Sequence, residues 1–179
     1  MAASKDLTSR IDEAFTNHEQ WLAKIRGEQL ADYEGRRERL KLFDPLCERL
    51  KEIWRPRLEM LAERFGQEVE VTPSVTPGRR AARFAFDSKL ASIDLRFSAS
   101  TDSDVRKLVL AYDLKIIPIL MKFEPHAEIE FPIEDVDDNA VARWIDDRIV
   151  EFVRTYLSLH ENEYYLKDQM VEDPVSGTR

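Results

Sequence analysis

The fold is decided by a stretch near the middle of the chain, ASIDLRFSA at residues 91–99. Its odd-numbered residues are apolar and its even-numbered residues are polar, the period of a β-strand with one face buried and one face in water. The same period recurs at 108–116, and shorter alternating runs occupy 69–75, 82–86 and 127–133. Short polar turns separate these runs. We therefore expect four or five strands in an antiparallel meander with one covered face.

Helical sequence lies on both sides of the strands. Residues 6–66 carry apolar stripes with helical spacing, the first of which comprises Ile11, Phe15, His18, Leu22 and Ile25. Asp44-Pro45 is typical of a helix start, and Pro56 interrupts the next stripe, so we expect a helical hairpin or a kinked helix pair. After the strands, apolar residues in steps of four and three from Val141 to Leu159 predict a long helix ending near Leu166.

This order of elements predicts an α+β fold in which the long C-terminal helix packs on the sheet. We expect one domain at 1–166, made of a helical part (1–66), an antiparallel sheet (67–133) and a helix (134–166). Residues 167–179 lack periodicity and are expected to form a flexible tail. A length of 179 residues fits a single domain.

Composition excludes several functional classes. The net charge is −8, and residues 133–179 hold 12 acidic but only 5 basic groups, which argues against nucleic-acid binding. No apolar run reaches the roughly 20 residues of a membrane span. The single cysteine, Cys47, excludes an intramolecular disulfide and an all-cysteine zinc site, and no secretory leader is visible, so we expect a cytoplasmic protein.

Few residues suggest chemistry. His126, Glu128 and Glu130 share one face of a predicted strand and could bind a divalent metal, although a solvated strand face has the same pattern. No glycine lies between Gly78 and Gly177, so a phosphate-binding loop has no place there, and we expect no cofactor. No nucleophile with a matching base defines a reaction class, which favours a non-enzymatic role.

Three functions remain open from the residues. The first is a self-associating interaction or scaffolding module, expected to be a homodimer, with a further protein partner possible at the acidic C-terminal helix. The second is a carrier of a small or lipid-like ligand in a cavity between the sheet and the C-terminal helix. Its candidate lining residues are Phe84, Phe86, Phe97, Leu110, Tyr112 and Phe152. The third is a metal-linked accessory protein that uses the His126 cluster.

The last residues carry a short motif, Asp173-Pro174-Val175-Ser176-Gly177. It resembles DPVCG, the opening of YHS domains, which are short modules associated with metal handling whose motif cysteine is a metal ligand. Ser176 stands at the cysteine position, and the chain continues for two residues only. The resemblance therefore implies a truncated module, appended to a region that looks like an uncharacterised bacterial type of domain, and it implies no metal ligand here.

Overall fold

The computed structural model describes residues 2–171 of the chain. Helix α1 spans Ala2–Phe65, and Gly66 with a positive φ of 56° ends it. Two further helices, α2 (Asp138–Glu161) and α3 (Glu163–Val171), lie at the C-terminal end of the described residues. Between them lie the strands β1 (Val69–Thr76), β2 (Arg79–Phe86), β3 (Ser92–Thr101), β4 (Lys107–Ile117) and β5 (His126–Pro132). The chain divides into two compact units, Met1–Leu40 and Lys41–Arg179.

The predicted antiparallel meander is confirmed, with five strands. The spatial order of the strands is β1-β2-β3-β4-β5, and every neighbouring pair is antiparallel. The register places Phe84 opposite Leu95 and Phe97 opposite Tyr112, so large apolar side chains stand in rows across one face. The other face is polar and carries ion pairs such as that between Arg83 and Asp94.

Helices α1 and α2 cover the apolar face. Leu61 of α1 and Phe152 and Leu159 of α2 are buried in one cluster with the inward residues of β2, β3 and β4. At one end of this cluster the Phe86 ring lies 4.8 Å from the rings of Phe65 and Phe152, measured between centroids. The prediction of an α+β fold with a C-terminal helix on the sheet is thus confirmed.

The expected division of the N-terminal helical region at Asp44-Pro45 is wrong. Residues Ala2–Phe65 form one helix that contains Pro45 and Pro56. A proline inside a helix removes one backbone hydrogen bond and costs about 3 kcal/mol. The residues next to Pro45 offset that cost by burial, because Phe43, Leu46 and Cys47 are all buried in the core of their unit.

The C-terminal helix ends earlier than predicted. Helix α2 stops at Glu161, and Asn162 adopts an extended conformation with φ −77° and ψ 125°. The Asn162 side-chain oxygen then accepts a hydrogen bond from the backbone N–H of Tyr164. Asn162 thereby caps the N-terminus of α3, which begins at Glu163. Helix α3 continues to Val171, and the Asp173–Gly177 motif lies outside the described residues.

Candidate functional site

The unit Lys41–Arg179 contains a cavity of about 660 Å³ between α1 and the inner face of the sheet. The helix α1 contributes one of its faces, and strands β1 to β4 contribute the opposite wall, while α2 closes one end. We call this space the α1–sheet cavity. Its apolar lining consists of Cys47, Trp54, Leu58, Ala62, Val71, Pro73, Val75, Ala81, Ala82, Phe84, Phe97, Ala99, Leu110, Trp144 and Ile145.

The cavity follows from side-chain size along the strands. Towards the β1–β2 turn the inward positions of β2 and β3 carry the small residues Ala82 and Ala99, whereas Phe86 and Ile93 fill the opposite end of the same strands. Small side chains under a helix leave volume that the neighbouring residues do not fill. The inner face of β1 stays open to solvent, since Val75 is 72% exposed.

Charged side chains surround the cavity and most of them are paired. The Arg80 guanidinium donates a 2.6 Å hydrogen bond to Asp44 and lies 5.4 Å above the Phe43 ring. Arg55 donates a 2.8 Å hydrogen bond to Glu59. Lys51 lines the same cavity and makes no hydrogen bond or ion pair with any described residue. The cavity is therefore lined by one ammonium group without such a partner, and the Glu48 carboxylate lies one helical turn from it in the same lining.

Cys47 forms part of the cavity wall as a neutral thiol. Its side chain is buried, and burial is the main reason that the pKa of the thiol is raised to about 11. The nearby Arg80 lowers this pKa, and the Asp44 and Glu48 carboxylates raise it. At neutral pH the thiol is protonated, so it contributes an apolar surface and no nucleophile.

The six predicted lining residues lie in different parts of the core. Phe84, Phe97 and Leu110 line the α1–sheet cavity, whereas they were predicted to line a cavity between the sheet and the C-terminal helix. Phe86 and Phe152 pack against each other in the closed part of the core. The α1 wall, including Trp54 and Leu58, was not predicted, because the sequence led us to expect the cavity between the sheet and the C-terminal helix.

Tyr112, the sixth predicted lining residue, is sealed beneath α2. Its side chain is fully buried, and its hydroxyl has no hydrogen-bond partner in the described part of the chain. Burial raises the pKa of Tyr112 far above its usual value, and the Glu151 carboxylate adds to that rise. Arg148 opposes the effect and also pairs with Glu151 at 2.5 Å. The hydroxyl is therefore neutral and has no opening to a ligand.

The predicted metal residues lie on the solvated strand face, where His126 and Glu128 contact each other and Glu130 has a separate partner. His126 Nδ1 lies 2.6 Å from Asp113 Oδ1, and His126 Nε2 lies 3.2 Å from Glu128 Oε2. The hydrogen bond to Asp113 is the main cause that raises the pKa of His126, followed by the bond to Glu128. Glu130 pairs with Lys107 at 3.1 Å. Among residues 2–171, no group of three or more histidine, cysteine or acidic side chains is placed to hold a metal ion.

The acidic C-terminal helix, the predicted surface for a protein partner, is held to α1 by ion pairs. Arg57 donates a 2.7 Å hydrogen bond to Asp146. Arg49 lies 3.1 Å from Asp138 at the start of α2. The Asp138 and Asp146 carboxylates therefore pair with arginines of α1. Asp147 and Glu161 are exposed.

The unit Met1–Leu40 is a helix without a core of its own. None of its side chains from residue 3 to residue 40 is buried. Phe15 is 67% exposed and Trp21 is 56% exposed, and the Trp21 ring stacks on His18 with a centroid distance of 6.1 Å. We call Ile11, Phe15, His18, Leu22 and Ile25 the N-terminal stripe. Within this stripe Ile11 and Phe15 are exposed, whereas Leu22 and Ile25 are half-buried.

Comparison of the chain with protein-family models, with curated proteins and with solved structures finds no match. Within residues 2–171, no helix is both long enough and apolar enough to cross a membrane. The N-terminal stripe and the α1–sheet cavity are the two features of the described residues that suggest a function.

Proposed function

We propose that the chain is a non-enzymatic interaction module that self-associates through its N-terminal stripe. The exposure of Phe15 and Ile11, on a helical unit in which no side chain from residue 3 to residue 40 is buried, supports this proposal most directly. A helix that has no tertiary packing is marginally stable in water, and an apolar face provides stability only when something covers it.

The spacing of the stripe favours another helix of the same kind as the covering surface. The five stripe residues alternate in steps of four and three, which is the spacing of the core positions in a heptad repeat. The next two core positions are Gln29 and Asp32, so the repeat covers residues 11–25 and then stops. A second copy of the chain offers the same spacing and the same length of seam, and it is present wherever the first copy is.

The side chains are large enough to support association. Full burial of a side chain such as Ile11, Phe15 or Leu22 contributes about 1.5–3 kcal/mol. A dimer buries each of them twice, and this gain opposes a cost of association of about 4–15 kcal/mol. We therefore expect reversible association at roughly micromolar concentrations.

Analytical ultracentrifugation of the full chain from about 1 to 100 µM tests the proposal. The variant Phe15→Asp places a charge in the stripe, and Gln20→Asp places the same charge on the opposite side of the helix. We expect the parent chain and Gln20→Asp to dimerise with similar affinity, and Phe15→Asp to remain monomeric. A parent chain that is monomeric throughout this range, or a Phe15→Asp variant that dimerises like the parent, would overturn the proposal.

A further inference from the structure

We infer that the α1–sheet cavity binds an amphiphile with one apolar chain and one anionic head group. This inference concerns the unit Lys41–Arg179 and does not depend on self-association through the N-terminal stripe. The volume of about 660 Å³ falls within the range of roughly 300–1,000 Å³ that is usual for small-molecule pockets. Apolar walls with few polar groups are the usual composition of such pockets.

The walls match an apolar chain. Trp54 and Leu58 of α1 lie across the cavity from Phe84 and Phe97 of the sheet. Ala82 lies opposite Phe97 in the sheet wall. The thiol of Cys47 is neutral at physiological pH because its pKa is about 11. A hydrocarbon chain in this space would remove apolar surface from water on both partners, which is favourable by about 25 cal/mol per Å².

The charges at the rim select the head group. Arg80 is engaged by Asp44 and Arg55 by Glu59, so these two guanidinium groups already have anionic partners. Lys51 is the rim cation without a partner among the described residues. Since Glu48 stands one helical turn away from Lys51, a head group with a single negative charge fits the rim better than one with several.

The open side of the cavity provides a route for entry. Val71 and Val75 belong to the inner face of β1, yet both are exposed, Val75 at 72%. A ligand chain can therefore enter between α1 and β1 without displacement of a packed core residue. An extended peptide is less suited to this edge, because Pro73 in the middle of β1 has no N–H for an added strand.

Fluorescence titration of the full chain with 11-(dansylamino)undecanoic acid tests the inference. Trp54 and Trp144 both line the cavity, so a bound dansyl group should quench tryptophan emission and emit by energy transfer. We expect saturable binding of one probe per chain. Decanoate should displace the probe more effectively than decanol, and decyltrimethylammonium should be the weakest competitor. A chain that shows no saturable binding, or that prefers the cationic competitor, would overturn the inference.

Two pairs of variants locate the ligand. Ala82→Leu fills the cavity, and Ala85→Leu adds the same atoms on the opposite face of β2; we expect a loss of affinity of about tenfold for the first only.

Val75→Asp adds a negative charge at the entrance, at a position so exposed that the core is not disturbed, and Thr72→Asp is its control on the outer face of β1. If Ala82→Leu does not fold, the comparison of Val75→Asp with Thr72→Asp decides the matter. Equal affinities in both pairs would exclude this cavity as the site.

A third pair tests the head group. Lys51→Gln should weaken decanoate about threefold, a typical effect of one exposed ion pair, and should leave decanol unchanged. The control Lys89→Gln removes an exposed charge from the β2–β3 turn and should change neither. A Lys51→Gln variant that binds decanoate as well as the parent chain does would overturn the assignment of the head group.

Discussion

The substitution Tyr165→Phe removes a single oxygen atom that joins α3 to the loop after β4. The Tyr165 side chain is fully buried, and its hydroxyl donates a 2.7 Å hydrogen bond to the carbonyl oxygen of Pro118. The same hydroxyl accepts a 3.0 Å hydrogen bond from the backbone N–H of Leu120. Phenylalanine keeps the ring in the core and leaves both backbone groups without this partner.

The expected destabilisation follows from the two lost hydrogen bonds. Each contributes about 0.5–1.5 kcal/mol, and a buried group that is left unsatisfied costs about 1–3 kcal/mol. Pro118 and Leu120 lie in an exposed loop, so water can replace part of what is lost. We therefore expect the free energy of unfolding to fall by about 1–2 kcal/mol. For a chain of this size that corresponds to a fall in Tm of about 3–6 °C.

Urea unfolding followed by circular dichroism and tryptophan fluorescence measures this change. The neighbouring Tyr164 provides a matched control, because its side chain is 64% exposed and Tyr164→Phe removes the same atom in water. We expect Tyr164→Phe to unfold within about 0.5 kcal/mol of the parent chain, as surface substitutions usually do. If Tyr165→Phe unfolds at the same urea concentration as Tyr164→Phe, the docking of α3 through this hydroxyl is refuted.

Three further outcomes are expected. Asp137→Ala should destabilise the chain by about 1 kcal/mol in the same assay, because the Asp137 carboxylate caps α2, whereas Asp135→Ala should have little effect; equal losses would contradict the cap. His126 should titrate in NMR spectra above its ordinary pKa of 6.5, and Asp113→Asn should lower that value. Since folding raises this pKa, the stabilisation is complete below pH 6.5 and is lost as the pH rises through the folded-state value, so a histidine that titrates at or below 6.5 would refute the contact. Cys47 should react slowly with Ellman's reagent at pH 8 and rapidly in denaturant, because its pKa is about 11; rapid reaction of the folded chain would contradict its burial.

The sheet was predictable from the sequence because strict alternation has a single structural meaning. In β3 the apolar residues Ile93, Leu95 and Phe97 alternate with polar ones over the whole strand, and turn residues mark its ends. Each connection is short, so neighbouring strands in sequence also become neighbours in space. The alternation is weakest in β1, where Pro73 occupies an inward position opposite Ala82.

The helix boundaries were less predictable because tertiary contacts override local signals. Pro45 indicates a helix start locally, but burial of Phe43 and Leu46 stabilises an uninterrupted helix across it. Asn162 interrupts the final helix although the apolar spacing continues past it. The interruption is linked to the burial of Tyr165, a contact with a distant loop that no helical periodicity reveals.

The sequence named three residues of the α1–sheet cavity, but for a cavity beneath the C-terminal helix. Alternation identified Phe84, Phe97 and Leu110 as inward-facing, and an inward position is all that a strand pattern can show. Whether such a residue lines a cavity depends on the volume of its neighbours across the sheet, here Ala82 and Ala99. Phe86 from the strand pattern and Phe152 from the helical stripe had the same weight as predicted lining residues, yet they pack against each other in the closed part of the core.

The order of the strands has a consequence for how the chain is made. Each strand of the meander pairs with the strand that precedes it in the sequence, so hairpins can form one after another during synthesis without long loop closures. Helix α2, which shares the cover of the sheet with α1, leaves the ribosome after all five strands. Until Phe152 and Leu159 emerge, α1 alone shields the nascent apolar face. The long first helix is thus already available as a protective surface when the first strands appear.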